Sequence, residues 1–285
     1  MTLRECCRTT EQRLRAVYAE SEAKWLVRIA FEHIKGYSQV DMLMKADEPV
    51  SEYIIEKVNE VTDRLLRHEP VQYIFGEARF YGLRLKVNSH TLIPRPETEE
   101  LIDMIVRDAN DRSDLHVMDA CTGSGCIAIA LARNLVFPAI DAFDISSEAV
   151  KVAQENASAL KTRVNFSTAD ALALTAPPRP LYDIIVSNPP YIADGERMDM
   201  SRNVLDYEPH IALFVPDDDP LRFYRAIAHY AIAALNHGGR LYFEINPIYA
   251  TGLATELTET GFDNVWLWPD IHGRTRFATA TRPAP

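Results

Sequence analysis

The chain has little of what marks a secreted, membrane-spanning, metal-built or nucleic-acid-coating protein. Its 285 residues include four cysteines, two of them adjacent (Cys6 and Cys7). They make neither a disulfide framework nor a zinc-ligand spacing, and no metal site is expected. No apolar run approaches the ~18 residues of a membrane span, and Met1-Thr2-Leu3-Arg4-Glu5-Cys6-Cys7 lacks the apolar region of a signal peptide. A cytoplasmic, reducing location with no membrane partner is therefore expected. Positive charge is also scarce: 30 basic residues face 41 acidic ones, a formal charge of −11. That balance argues against a broad phosphate-backbone footprint, so no stable nucleic-acid partner is expected. Neither an internal repeat nor a low-complexity segment is present.

What is there is ordinary for a globular chain: 47% apolar residues, enough for a full core. The length fits one large domain plus a smaller one, since domains run to roughly 100–200 residues. Residues 1–72 read as an N-terminal helical domain. Leu14, Val17 and Tyr18 recur at helical spacing, as do Trp25, Leu26, Ile29 and Ala30, then Tyr53, Ile54, Val58, Val61, Leu65 and Leu66. The last of these helices should stop before Glu69-Pro70. No catalytic constellation is visible there.

Residues 73–97 read as a β-hairpin connector. Tyr73–Gly76 and the alternating run Leu83–Val87 flank a turn at Tyr81-Gly82. The proline-punctuated stretch Leu92–Glu97 is then extended, with Thr98 or Glu97 opening the next helix. It is either a rigid linker or one wall of a binding site, with Arg95 and Glu97 available for polar contacts.

From residue 98 to 285 strands and helices alternate, which predicts a mostly parallel α/β sheet with helices on both faces. In such sheets ligands bind beyond the carboxyl ends of the strands, near the point where strand order reverses. The first strand, Leu115–Ala120, runs into Cys121-Thr122-Gly123-Ser124-Gly125. Small residues there let a ligand approach the backbone and the N-terminus of the next helix. About 20 residues on, the second strand ends in Asp144, where an acid can take ribose hydroxyls. Gly123 to Ala128 also satisfies the dinucleotide pattern G-x-G-x-x-A, a weak signal by itself. Asp170 follows the third strand and can either meet an adenine amino group or cap a turn at Ala171-Leu172.

The fourth strand, Tyr182–Val186, stops at Asn188-Pro189-Pro190-Tyr191. Two prolines fix two φ angles and remove two donors, and residues preceding proline are held extended. The product is a stiff ledge offering the Asn188 side-chain carbonyl and the Pro189 backbone carbonyl beside an aromatic ring. Two convergent acceptors suit a planar NH2 group. Hydride transfer has no evident use for such a ledge. Together with Asp119 ahead of the loop and the presence of one such half only, it favours S-adenosylmethionine over a dinucleotide.

These residues resemble the class I S-adenosylmethionine-dependent methyltransferases that act on amino or amide nitrogens, which have a Rossmann-like seven-stranded sheet. The connector is similar to one branch of them, the peptide chain release factor glutamine methyltransferases (PrmC or HemK). The resemblance lies in Glu69-Pro70, Gly76, Phe80-Tyr81-Gly82, Leu85-Lys86-Val87 and Thr91 to Glu99, with Tyr207-Glu208-Pro209, Ala212-Leu213, Glu244 and Asp270 to Arg276. Cys121 stands where that family's loop often has Gly, and Ala171 where some members have an aromatic. The resemblance implies methyl transfer to the side-chain amide nitrogen of the glutamine in the Gly-Gly-Gln loop of a release factor, leaving S-adenosylhomocysteine. It implies that Cys121, Thr122, Gly123, Ser124 and Gly125 line the methionine part of the cofactor. Asp144 would hold the ribose, and Asp170 and Ala171 would lie by the adenine. It places Asn188 between cofactor and substrate, with Pro189, Pro190 and Tyr191 completing the catalytic ledge and Arg95 and Glu97 on the substrate side. The alternative reading is methylation of an exocyclic amine on a nucleobase, which would need base flipping or a single strand and a basic surface. A non-enzymatic cofactor-binding regulator is the third reading, and an intact Asn-Pro-Pro-Tyr ledge argues against it.

Overall fold

A computed structural model of the protein describes residues 1–110, 112–175 and 181–285. It contains two compact units, Met1–Gly76 with Ser201–Tyr207, and Glu77–Met200 with Glu208–Pro285.

The first unit is helical. Helices α1 (Leu3–Leu14), α2 (Glu20–Lys35), α3 (Gln39–Met44), α4 (Glu52–Leu66) and α5 (Val71–Phe75) follow in order. Thr2 and Glu5 close a reciprocal cap at the start of α1, which satisfies two otherwise orphaned N–H groups. Leu14, Leu26, Phe31, Ile54, Val58 and Leu65 share one core. Three residues expected on apolar stripes face outward instead: Val17 is 38%, Trp25 40% and Tyr53 63% exposed. The core is closed from neighbouring turns by smaller residues such as Ala23 and Val27. The expected strand Tyr73–Gly76 is helical. Pro70 caps α5, and the chain leaves it at Gly76 in the left-handed region.

The second unit opens with the hairpin β1 (Glu77–Phe80) and β2 (Leu83–Lys86). Its two-residue turn, Tyr81-Gly82, has positive φ at both positions (49° and 71°), the geometry that matches strand twist. The hairpin thus pairs Leu83–Lys86 with the segment after Gly76, not the one before it. Helix α6 (Pro96–Ala109) begins at a proline capped by Arg95, earlier than the expected Glu97 or Thr98. A proline suits the first helical position, where its missing N–H is no loss.

The alternating region follows: β3 (His116–Ala120), α7 (Cys126–Asn134), β4 (Ala139–Asp144), α8 (Ser147–Ala159), β5 (Asn165–Thr168) and β6 (Tyr182–Ser187). Next come β7 (Ile192–Ala193), α9 (Arg202–Tyr207, which belongs to the first unit), β8 (Phe214–Val215), α10 (Arg222–Ala234), β9 (Leu235–Glu244), α11 (Ala250–Glu259), β10 (Asp263–Pro269) and β11 (Thr275–Thr281). Gly238 and Gly239 lie inside β9, which begins directly at the end of α10. The seven-stranded sheet has the order β10-β11-β9-β6-β3-β4-β5. Its pairs from β9 to β5 are parallel, and β11 is antiparallel to both its neighbours.

One apolar cluster, with Leu101, Ile105, Leu131 and Tyr242, fills the side covered by α6, α7 and α8. Another, with Tyr224, Ile227, Leu253 and Phe243, fills the side of α10 and α11. This is the expected Rossmann-like sheet. The chain steps from β3 outward to β5 and then returns to β6 on the other side of β3. The reversal therefore falls between β3 and β6, where Ala120 pairs with Ser187 and the Ser187 hydroxyl donates to the Ala120 carbonyl at 2.7 Å. The glycine-rich loop and the proline ledge leave the sheet side by side from that point.

Candidate active site

A cavity of ≈ 280 Å³ opens beyond these strand ends. Its walls include Cys121, Thr122, Gly123 and Ser124 of the loop, Asp144 and Ile145 after β4, Asp170 and Ala171 after β5, and Asn188 and Pro190 of the ledge. Arg95 and Thr98 from the start of α6 line it as well. Most of the residues singled out from the sequence are thus brought to one space. Gly125, Pro189, Tyr191 and Glu97 lie outside the lining.

The loop is shaped by backbone and packing. Cys121, Gly123 and Gly125 all have positive φ (61°, 55° and 80°). That explains why a glycine suits position 121: an L-residue there carries left-handed strain. A Cβ on Gly123 would meet nothing within 4 Å, whereas one on Gly125 would come within 3.0 Å of the Ala153 Cβ and 3.1 Å of the Ile129 Cδ1. Gly125 is thus the packed hinge of the loop and the N-cap of α7.

Under the loop lies Asp119, fully buried. Its Oδ2 accepts from the Thr122 hydroxyl at 2.6 Å and the Ala128 N–H at 3.2 Å, while Oδ1 has no partner among the described residues. Burial pushes its carboxyl up to about 7, with the nearby Asp144 adding to the effect and the two donors opposing it. Burial also raises Asp144, against the Ser146 and Gly123 N–H groups that donate to its two oxygens at 2.9 and 2.8 Å. Burial pushes the Cys126 thiol up to about 12 and raises the Cys121 thiol well above its ordinary value, which disfavours the thiolate at both. Asp170 accepts from the Leu172 N–H at 2.8 Å, the capping role, while also facing the cavity.

The ledge is held from further away. Pro189 and Pro190 are buried. The Tyr191 and Ile192 N–H groups both donate to the Leu213 carbonyl, at 3.2 and 2.9 Å. The Tyr191 hydroxyl donates to Glu244 Oε1 at 3.1 Å, which holds its ring against the core beneath the ledge. Glu244 itself is buried, and its Oε2 accepts from the Thr98 hydroxyl at 2.6 Å. Burial raises its pKa against those two hydroxyls and Arg276. The Asn188 amide nitrogen donates to Thr98 Oγ1 at 3.4 Å. Arg95 donates to the buried Glu208 at 2.6 Å, and the other Glu208 oxygen accepts from the Ile93 N–H at 3.1 Å. The extended stretch before α6 is thereby a fixed wall, with Arg95 on the cavity and Glu97 outside its lining.

Sequence reading missed Thr98 as more than a helix opener, and it missed Ile145, Phe214 and Phe223. Phe223 projects from α10, which packs against the turn at Ala171–Ala173, and it supplies an aromatic wall where Ala171 does not. No local pattern marks these residues. Phe223 lies more than fifty positions beyond Ala171, and only the packing of α10 brings it in.

Two family models match the chain: the PrmC N-terminal domain over residues 5–76 and the methyltransferase small domain over residues 98–207. The release factor glutamine methyltransferase of Bacteroides thetaiotaomicron is 42% identical, over 95% of this chain and 97% of its own length. That of Flavobacterium psychrophilum is 39% identical, over 93% and 94%. Among solved structures, the hMettl16 catalytic domain in complex with MAT2A 3'UTR hairpin 6 shares the fold, with a TM-score of 0.56 and 17% identity over 78% of this chain and 81% of that one.

Proposed function

Since the chain belongs to the release factor glutamine methyltransferase family, we propose that the cavity carries methyl transfer from S-adenosylmethionine to the side-chain amide nitrogen of the glutamine in a release factor's Gly-Gly-Gln loop. The observation that carries this reading is the single cavity with the glycine-rich loop on one wall and Asn188 on another.

The residues present fit that cofactor. Ser124 lines the cavity with a buried hydroxyl that has no hydrogen-bond partner among the described residues, a group that ordinarily finds one. Asp144 is the acid beside the loop, placed to take a ribose diol. The loop from Cys121 to Gly125 would border the methionine part. Asp170, Ala171 and Phe223 would border the adenine. The cofactor, when bound, supplies a methyl group on a sulfonium.

The rest is the work of the chain. An amide nitrogen is a poor nucleophile because its lone pair is delocalised into the carbonyl. Asn188 Oδ1 and the Pro189 carbonyl would accept from its NH2, orient the nitrogen and draw it toward tetrahedral geometry. Positive charge reaches that nitrogen during transfer, and fixed acceptor oxygens stabilise it without having to reorganise. Holding the nitrogen in line supplies much of the rate. Arg95, tied to Glu208, would steer the substrate loop on the same side. No general base is needed, because the methylated, protonated amide loses its proton readily.

The test is mass spectrometry of a release factor before and after incubation with enzyme and cofactor, with bulk RNA as competitor. One added methyl on the Gly-Gly-Gln glutamine, insensitive to RNA, is expected, as the charge of −11 leaves little to hold a strand. Methyl groups appearing on the RNA instead would overturn the reading. Four free cysteines support a reducing, cytoplasmic setting, which cell fractionation checks: recovery in an oxidising compartment would remove it.

A further inference from the structure

A side-chain amide has two chemically opposite ends, and the reading of Asn188 as an acceptor requires its oxygen, not its nitrogen, to face the substrate. The ledge itself does not decide this, since Pro189 and Pro190 fix the backbone and leave the amide free to rotate. The decision comes from beneath. Glu244 sits at the carboxyl end of β9, with Oε2 at 2.6 Å from Thr98 Oγ1 and Oε1 at 3.1 Å from the Tyr191 hydroxyl. Glu244 accepts at both oxygens, from the Thr98 hydroxyl and from the Tyr191 hydroxyl. The Thr98 proton is therefore committed to Glu244, and Thr98 Oγ1 can offer only lone pairs to its other neighbour. That neighbour is Asn188, which presents Nδ2 at 3.4 Å. Thr98 and Glu244 are both nearly inaccessible to water, at 2% and 1% exposure, so solvent does not replace a lost partner. One carboxylate thus fixes both ends of the ledge, residue 191 directly and residue 188 through a hydroxyl.

We propose that Thr98 and Glu244 are positioning residues that set the polarity of the Asn188 amide, holding its nitrogen inward so that Oδ1 faces the transferring group. This rests on the acceptor role proposed for Asn188. It assigns to the start of α6 a part in the rate and not in substrate affinity. With the clamp removed, the amide can turn and present an N–H toward a nitrogen that is gaining positive charge, which opposes the transfer.

The experiment compares Thr98→Val, which keeps the shape and removes the hydroxyl, with Thr98→Ser, which keeps the hydroxyl. Each is made in the wild-type chain and in Asn188→Ala, and kcat, KM for a release factor and the cofactor Kd are measured. Thr98→Val is expected to lower kcat about 10- to 100-fold, the scale of a small misplacement of a reacting group. KM and the cofactor Kd should stay within about two-fold, and the retained Kd reports a folded site. Thr98→Ser should recover most of the rate. In the Asn188→Ala background Thr98→Val should change kcat little, since the amide it orients is gone. A wild-type kcat for Thr98→Val, an equal loss for Thr98→Ser, or a full additional loss on top of Asn188→Ala would each overturn the clamp. If Asn188→Ala alone methylates at the wild-type rate, the acceptor role has failed and the clamp falls with it. If Asn188→Ala is impaired and Thr98→Val is not, the clamp alone is wrong.

Discussion

The glycine-rich loop and the proline ledge leave neighbouring strands, and each rests on a buried carboxylate, yet the two are supported in opposite ways. Asp119 finds its partners within nine positions, at Thr122 and Ala128, and leaves one oxygen without any among the described residues. Glu244 has a hydroxyl on each oxygen, from residues 146 and 53 positions away. The loop is built locally, from backbone conformations and a packed glycine, over a carboxylate that is only half satisfied. The ledge is built from segments far apart in the chain and is satisfied before anything binds. A surface that must orient a reacting nitrogen has to be complete beforehand.

The same difference explains what could be read from the sequence. Strand and helix alternation, the loop from Cys121 to Gly125, Asp144 and the Asn-Pro-Pro-Tyr ledge are contiguous patterns, and their positions in the fold follow from period and chain order. The support of the ledge is not contiguous. Thr98 read as a helix opener because its hydroxyl points to a strand 146 residues later. Phe223 gave no signal because the turn it packs near is defined by another segment. The same limit displaced the hairpin. Tyr73–Phe75 is apolar enough for a strand, but Pro70 and Gly76 bracket it as one short helix, and pairing moved to Glu77–Phe80.

The largest expected effect falls on the ledge. Asn188→Ala should lower turnover by about 10²–10³, as for loss of one preorganised contact to developing charge. The cofactor Kd should hardly move, because the loop and Asp144 are untouched. Single-turnover rates and calorimetric titration measure the two separately. An equal loss in both would break the division between ledge and loop.

A smaller effect, on stability, belongs to the loop. Asp119 has its pKa raised from 3.8 to about 7 by burial, so the folded chain holds that proton more tightly than the unfolded one. The penalty for its charge is absent below about pH 4, grows as pH rises, and is complete above about pH 7. In cofactor-free protein, stability attributable to this group therefore falls across that window, by something on the order of 2 kcal/mol after allowing for relaxation. Asp119→Asn carries no such proton, and its denaturation midpoint should lack that slope. Parallel curves for the two proteins between pH 4.5 and 8 would show that the loop floor is not strained electrostatically.

The smallest effect tests the local construction of the loop. At an ordinary loop position, alanine is more stable than glycine by about 0.4–1 kcal/mol, because glycine gives the unfolded chain more freedom. Cys121 has φ of 61°, where an L-residue carries about 1–2 kcal/mol of strain and glycine carries none. The two terms oppose each other, and strain is the larger. Cys121→Gly should therefore be more stable than Cys121→Ala by about 0.5–1 kcal/mol in urea denaturation, with the thiol lost equally in both. Asn188 is not among the residues with positive φ and precedes a proline, which holds it extended. There the order should reverse, with Asn188→Gly less stable than Asn188→Ala by a similar amount. The pair of reversals separates a segment shaped by backbone conformation from one shaped by its partners. The same order at both positions would mean that the loop, like the ledge, is held by contacts from elsewhere in the chain.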